Sequence, residues 1–155
     1  MDIIYRRANP KDITDIFYVE SRCFRSPWSM ESIREDICEN ERALYVVAAE
    51  GERIIGFCAM HSIFDEGHIM NVAVLEEYRG KRIAEKLLKK MFELAPPEVV
   101  NYTLEVRVSN ATAIKLYTRM GFRSFGLRPG YYADTGESAM IMWLNTEPKG
   151  NTARH

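Results

Sequence analysis

The sequence has little that would indicate a disulfide-bonded, metal-binding or membrane-spanning protein. Its 155 residues include three cysteines, Cys23, Cys38 and Cys58, whose odd number and wide spacing suggest neither a disulfide framework nor a structural zinc site. No apolar run approaches the roughly 18 residues needed to cross a bilayer. Charged residues interrupt the first segment, unlike a signal peptide. We therefore expect a cytoplasmic protein with no bound metal and no membrane contact.

The sequence also lacks an excess of positive charge. The formal net charge is -1, so no large positive field is available to hold nucleic acid, and no direct nucleic-acid partner is expected. One predicted helix after Ser29 is acidic, which favours a basic peptide as partner; a solvated surface is the plainer interpretation. Its charged residues are Glu31, Arg34, Glu35, Asp36 and Glu39, with Glu41 just beyond.

Hydrophobic periodicity predicts the element order β-α-α-β-β-β-α-β-α-β-β. Asn9, Ser29 and Asn110 are predicted helix caps. Antiparallel hairpins beside a strand–helix–strand–helix segment imply a mixed α/β sheet with helices on both faces. We expect one domain over 1–145 and a flexible polar tail over 146–155. The predicted strands span 2–8, 43–50, 53–62, 68–75, 102–108, 122–127 and 137–144, with a turn at 65–67 and a loop over 128–136.

The turn after the fourth predicted strand is a candidate anion site. There the strand 68–75 leads through a basic turn containing Gly80 into an amphipathic helix over 80–95. The first turn of a helix has free N–H groups and a partial positive charge, and phosphates bind there. Arg79, Lys81 and Arg82 would add positive charge. Alternatively, Gly80 only turns the chain and the cations are solvated.

Four further residues could carry chemistry. Glu105 lies on an alternating strand, where burial would raise the pKa of its carboxyl and suit it to act as a general base; the alternative is an ion pair with Arg107. Tyr117 is either a proton donor or a buried aromatic residue. Tyr131 and Tyr132 either line a substrate groove or fill space under a loop.

Taken together, these segments resemble the GNAT superfamily of N-acetyltransferases and, within it, the ribosomal-protein-alanine N-acetyltransferase family. The resemblance covers about residues 3–144. It implies a GNAT-type, mostly antiparallel seven-stranded sheet. The segments that carry it are 26–29 (SPWS), 72–74 (VAV), 79–84 (RGKRIA), 104–111 (LEVRVSNA), 113–117 (AIKLY), 121–122 (GF), 128–132 (RPGYY) and 139–142 (AMIM).

The resemblance also implies a reaction. Acetyl-CoA would be the cosubstrate, and the acceptor would be the N-terminal amine of a protein, with ribosomal protein S18 the family's named target. Glu105, through a water molecule, would take a proton from the substrate ammonium, and Tyr117 would protonate the departing CoA thiolate. Acetyl-CoA would be held by Val72, Ala73, Val74, Arg79, Gly80, Lys81, Arg82, Ile83, Ala84, Glu85, Asn110 and Tyr117. The acceptor would contact Trp28, Arg107, Tyr131 and Tyr132.

One position departs from the superfamily pattern. The turn usually reads Arg/Gln-x-x-Gly-x-Gly/Ala, and Arg82 replaces its middle glycine. We expect negative φ there, at the start of the helix, so that a side chain fits and Arg82 can add a phosphate contact. Two other functions stay open at this point: acetylation of a small amine, such as a polyamine or an antibiotic, and a catalytically silent CoA-binding module.

Overall fold

The computed structural model describes residues 2–147, and the predicted element order is confirmed there. Short 3-10 turns, Pro10–Asp12 and Glu76–Tyr78, precede the first and third helices. The helices are α1 Ile13–Cys23, α2 Met30–Glu39, α3 Ile83–Leu94 and α4 Ala111–Arg119. The strands are β1 Ile3–Arg7, β2 Ala43–Glu50, β3 Arg53–Ile63, β4 Glu66–Val74, β5 Asn101–Arg107, β6 Arg123–Tyr132 and β7 Glu137–Asn145.

The strands form one seven-stranded sheet in the order β1-β2-β3-β4-β5-β7-β6. The pairs β1–β2, β2–β3, β5–β7 and β6–β7 are antiparallel. The β4–β5 pair is parallel over Glu66–His68 and Asn101–Thr103. This mixed, mostly antiparallel arrangement confirms the predicted fold class.

Within the described range, none of the helices is long and apolar enough to cross a membrane. No three His, Cys, Asp or Glu side chains of residues 2–147 are grouped so that they could hold a metal ion. The expectation that the protein needs no metal stays a prediction.

The described chain divides into two compact units. The first contains the residues up to Ser62 together with Met70–Ala95, and the second contains Ile63–Ile69 and the residues from Pro96 onward. Strand β4 therefore contributes its first residues to the second unit and its last residues to the first. The expected single domain over 1–145 stays a prediction.

Strand β2 is the centre of the first unit's core. Every residue of β2 except Glu50 is buried, and successive side chains of a strand point to opposite faces. On one face, the Tyr45 hydroxyl donates to Asp36 of α2 at 2.7 Å. On the other face, Cys58, the cross-strand partner of Val46, donates its thiol to the Leu87 carbonyl of α3 at 3.5 Å. Helices therefore cover both faces of this unit's strands, as predicted.

Strand β5 organises the second unit. Its residues alternate between buried positions, such as Leu104 and Val106, and partly exposed ones, such as Glu105. This confirms the alternation predicted from the sequence. After β7, Thr146 donates its backbone N–H to the Val100 carbonyl at 2.7 Å. Most of the predicted flexible tail, 148–155, lies outside the described residues.

Two predicted boundaries between strands and turns were wrong. Strand β6 continues to Tyr132 through the predicted loop, because register shifts at 124–126 and 128–132 absorb its glycines and proline while the strand still pairs with β7. The predicted turn at 65–67 lies one residue earlier, at Phe64 and Asp65. Phe64 adopts a φ of 53°, and this left-handed residue reverses the chain so that Glu66 already pairs in β4.

Candidate active site

The turn Arg79–Arg82 joins β4 to α3 through two left-handed residues. Gly80 has a φ of 82°, and Arg82 has a φ of 61° and a ψ of 21°. The prediction of negative φ at Arg82 was wrong. Helix α3 begins at Ile83, three residues after the predicted start at Gly80, so Arg82 occupies the N-cap, where helical dihedral angles are not required. A left-handed non-glycine residue costs about 1–2 kcal/mol, and such strain is found at functional turns.

The first turn of α3 is open to an anion. Ser29 and Asn110 cap α2 and α4 with their side chains, whereas the N-cap residue of α3, Arg82, makes no side-chain capping bond. At the start of a helix the first N–H groups, here those of Ile83 and Ala84, have no earlier helical carbonyl to bind. The residues present therefore fit a diphosphate, which would accept hydrogen bonds at the positive end of the helix.

The end of β4 is fixed by the turn that follows it. Arg79 donates from Nε to the Val74 carbonyl at 3.0 Å, and Cys23 donates from Sγ to the same oxygen at 3.5 Å. A carbonyl oxygen has two lone pairs, and both have partners here. A contact of Val74 with CoA would therefore use its N–H group. The predicted contacts of Val72 and Ala73 stay predictions.

A buried carboxylate in the first unit was not singled out from the sequence. Glu20 is 1% exposed and accepts hydrogen bonds from the Trp28 backbone N–H at 2.9 Å and from Asn71 Nδ2 at 2.7 Å. Burial raises the pKa of Glu20 above its ordinary value, and the two hydrogen bonds only partly oppose this. The available signal was an acidic residue within the apolar face of α1. Trp28 is thus held at its backbone, while its predicted contact with the acceptor stays a prediction.

Glu105 is paired with a histidine in the second unit. Its side chain is 12% exposed, and its Oε1 lies 2.7 Å from Nε2 of His68 on β4. The hydrogen bond to His68 lowers the pKa of Glu105, and the positive charge of Arg128 acts in the same direction. The expectation that burial raises the pKa of this carboxyl was wrong, because these interactions outweigh desolvation. No spacing pattern in the sequence pointed to His68.

The alternative partner proposed for Glu105, Arg107, binds elsewhere. Its guanidinium lies 2.8 Å from Asp134 and 3.5 Å from Glu137, and it stacks over the Tyr132 ring at 4.0 Å from the ring centre. Tyr131 contacts Tyr132 edge-on at 5.0 Å between ring centres. Arg107 therefore fixes the β6–β7 turn. The predicted contacts of Arg107, Tyr131 and Tyr132 with the acceptor stay predictions.

Asn110 and Tyr117 lie on or next to α4, in the same unit as Glu105. Asn110 Oδ1 accepts a hydrogen bond from the Ala113 N–H at 3.1 Å, so the side chain caps the helix as predicted. Tyr117 is buried and packs against Phe122 with 5.7 Å between ring centres. Their roles toward CoA stay predictions.

The sequence model of the acetyltransferase (GNAT) family matches residues 13–122. The chain belongs to this family. The GNAT match spans the Arg79–Arg82 turn, Glu105 and Tyr117. A relative from Bacillus subtilis (strain 168), named putative [ribosomal protein bS18]-alanine N-acetyltransferase, is 36% identical over 140 residues, which cover 90% of this chain and 93% of the relative. The [ribosomal protein bS18]-alanine N-acetyltransferase of Escherichia coli K12 is 32% identical over 136 residues, 86% of this chain and 90% of that one.

Solved GNAT structures agree with the fold. The crystal structure of the ribosomal-protein-S18-alanine N-acetyltransferase from Escherichia coli superposes with a TM-score of 0.86 at 28% identity, covering 97% of this chain and 98% of that one. Arabidopsis thaliana NAA60 in complex with acetyl-CoA gives a TM-score of 0.84 at 20% identity, covering 93% and 99%. At that identity the NAA60 likeness shows the fold alone. The resemblance drawn from the sequence motifs is confirmed.

Proposed function

We propose that this GNAT chain transfers the acetyl group of acetyl-CoA to the N-terminal α-amine of a protein, with the N-terminal alanine of ribosomal protein S18 as the first candidate. The observation that carries the proposal is the partly buried Glu105 carboxylate bound to His68, since an amine acceptor must lose a proton before it attacks. The names of the Bacillus subtilis and Escherichia coli relatives support the choice of acceptor. A ribosomal acceptor would place the reaction in the cytoplasm.

The cosubstrate would be held mainly at the start of α3. The backbone N–H groups of Ile83 and Ala84 would receive the diphosphate, and the cations of the preceding turn would add attraction. Acetyl-CoA supplies an acetyl thioester, which is already activated toward an amine. The protein therefore mainly has to position the acceptor and manage its proton.

The proton of the acceptor would pass to the Glu105–His68 pair. An α-amine has a reference pKa of about 7.7–8.0, against about 10.4 for lysine, so a modest base is enough for an N-terminus. Since the pKa of Glu105 is lowered, its carboxylate is ionised at neutral pH but is a weak base on its own. We infer that Glu105 orients a water molecule through which the acceptor's proton leaves, and that the His68 imidazole shares this proton.

Tyr117 would act on the leaving group. A thiol has a reference pKa of about 8.5 and a phenol about 10. Complete proton transfer from Tyr117 to a thiolate is therefore slightly uphill. A hydrogen bond from the phenol to the developing thiolate would supply most of the contribution of Tyr117 to catalysis.

Acceptor competition tests the proposal. Purified protein is supplied with acetyl-CoA and either an alanine-initiated peptide, the same peptide blocked at its α-amine, or a polyamine. The proposal expects turnover of the first peptide alone. Turnover of the polyamine alone would support the small-amine alternative, and CoA binding without turnover of any acceptor would support the silent binding module. Either result would contradict the proposal.

A further inference from the structure

The ring of Tyr78 attracts two cations beside the Arg79–Arg82 turn. Tyr78 ends the 3-10 turn Glu76–Tyr78, directly before Arg79, and it is 8% exposed. The Arg53 guanidinium lies 5.6 Å from the ring centre and the Lys81 ammonium lies 5.8 Å from it. Both distances are within the range of about 6 Å over which a cation is attracted to an aromatic face. The ring therefore restrains a charged side chain of the turn itself.

The same tyrosine is tied to the β2–β3 hairpin. Its hydroxyl donates to the Glu50 carboxylate at the end of β2. Arg53, at the start of β3, donates to the Tyr78 hydroxyl at 3.4 Å and to Glu77 at 3.2 Å. The Tyr78 backbone N–H donates to the Leu75 carbonyl at 2.9 Å. Ring, hydroxyl and backbone are thus all held before the chain enters the turn.

Lys81 forms no direct ion pair with a carboxylate of residues 2–147, unlike two neighbouring arginines. Arg53 pairs with Glu77, and Arg82 lies 3.8 Å from Glu85. The Lys81 ammonium instead lies 5.8 Å from the centre of the Tyr78 ring. A lysine side chain loses roughly 2 kcal/mol of rotamer freedom when it is immobilised. A ring that limits this freedom beforehand lowers the cost of binding an anion.

We propose that Tyr78 is a positioning residue for the diphosphate of acetyl-CoA, acting through Lys81 and through the fixed entry to the left-handed turn. The inference rests on the proposed use of acetyl-CoA and is independent of which amine accepts the acetyl group. Tyr78 does not touch the reacting atoms. Its effect should therefore appear in donor binding and not in the chemical step.

The test compares Tyr78→Leu and Tyr78→Phe with a matched control, Tyr18→Leu. Tyr18 on α1 has the Arg22 guanidinium 5.5 Å from its ring centre, so the control removes the same type of contact elsewhere. CoA affinity is measured by calorimetry without any amine. Loss of the ring in Tyr78→Leu should weaken CoA about three- to tenfold. Tyr78→Phe should retain most of the affinity, and Tyr18→Leu should retain all of it.

Kinetics with two donors separate positioning from a general structural role. Tyr78→Leu should raise the KM for acetyl-CoA with little change in kcat, and it should leave kcat/KM for S-acetylpantetheine, which lacks the diphosphate, unchanged. Equal losses with both donors, or unchanged CoA affinity, would overturn the inference.

If Tyr78→Leu does not fold, Lys81→Met takes its place: weaker CoA binding supports the inference and unchanged binding overturns it. Failure of the wild-type protein to bind CoA would instead refute the proposed function.

Discussion

Nε2 of His68 lies 2.7 Å from Oε1 of Glu105, joining two side chains that are 37 positions apart in the sequence. The parallel pairing of β4 with β5 brings them together, since His68 is the cross-strand neighbour of Thr103. The pair gives Glu105 a pKa below its ordinary value. A base that relies on this pair should change its pH dependence when the histidine is removed.

Replacing His68 with alanine should move the acid limb of the kcat/KM profile to higher pH. Without the hydrogen bond, desolvation acts on Glu105 with less opposition, so its pKa rises and the carboxyl becomes protonated at a higher pH than in the wild type. The rate near neutral pH should fall about ten- to a hundredfold. The control is His61→Ala, which removes a similar pair with Asp36 at 2.9 Å. Equal acid limbs in the wild type and His68→Ala would show that the pair does not determine the pKa of the catalytic base.

Tyr117→Phe should lower kcat by roughly tenfold, which corresponds to the loss of one hydrogen bond to the leaving group. CoA affinity should persist, because the ring still packs against Phe122. Steady-state kinetics and CoA titration check the two statements separately. Wild-type turnover in this variant would remove Tyr117 from the mechanism.

Arg82→Gly and Arg82→Ala form a pair that isolates backbone strain. Both substitutions remove the guanidinium, but only glycine adopts a φ of 61° without cost. The glycine variant should be more stable to denaturant than the alanine variant by about 1 kcal/mol. Equal stability would mean that the left-handed conformation stores no strain. If the side chain contacts phosphate, both variants should also raise the KM for acetyl-CoA.

Local patterns predicted the element order because most helix starts are encoded within a few residues. Asn9, Ser29 and Asn110 each accept a backbone N–H two to three residues further on, and this interaction needs no tertiary contact. The strand alternation around Glu105 was predicted for the same reason. The predicted end of β6 was wrong because Gly126 and Gly130 suggest a loop there. Pairing with β7, not local preference, keeps that segment extended.

The chemistry of the candidate site depended on long-range contacts, which local patterns do not contain. His68 reaches Glu105 across 37 positions, and Asn71 reaches Glu20 across 51. The direction of the pKa shift predicted for Glu105 from the sequence alone was therefore wrong. The predicted φ of Arg82 was also wrong, because the helix starts at Ile83 and Arg82 is its N-cap, not a residue of its first turn.

The free energy of unfolding should depend on pH through the titration of Glu20. Its pKa is raised in the folded state, so its contribution is fully present below the ordinary value of about 4.3 and is lost as pH rises through the raised one. The free energy of unfolding of the wild type relative to Glu20→Gln should therefore fall as pH increases over that interval. Denaturant titrations at several pH values measure it.

Asp12 provides a control of opposite sign for this measurement. Burial acts to raise the pKa of Asp12, but its hydrogen bond and ion pair with Arg6 at 2.7 Å outweigh burial and lower it. The stability of the wild type relative to Asp12→Asn should therefore be greatest above the ordinary pKa and decline as pH falls. Slopes of the same sign for Glu20 and Asp12 would contradict the assignment for Glu20.

Mass spectrometry of protein N-termini tests the proposed function most directly. Cells that lack this activity are supplied with the wild-type chain, with Glu105→Gln, or with Glu98→Gln, a control at an exposed glutamate. We predict that alanine N-termini, including that of ribosomal protein S18, are acetylated with the wild type and with the control, and that Glu105→Gln leaves them largely unmodified. Acetylation confined to lysine side chains, or identical N-termini in all three cultures, would contradict the account.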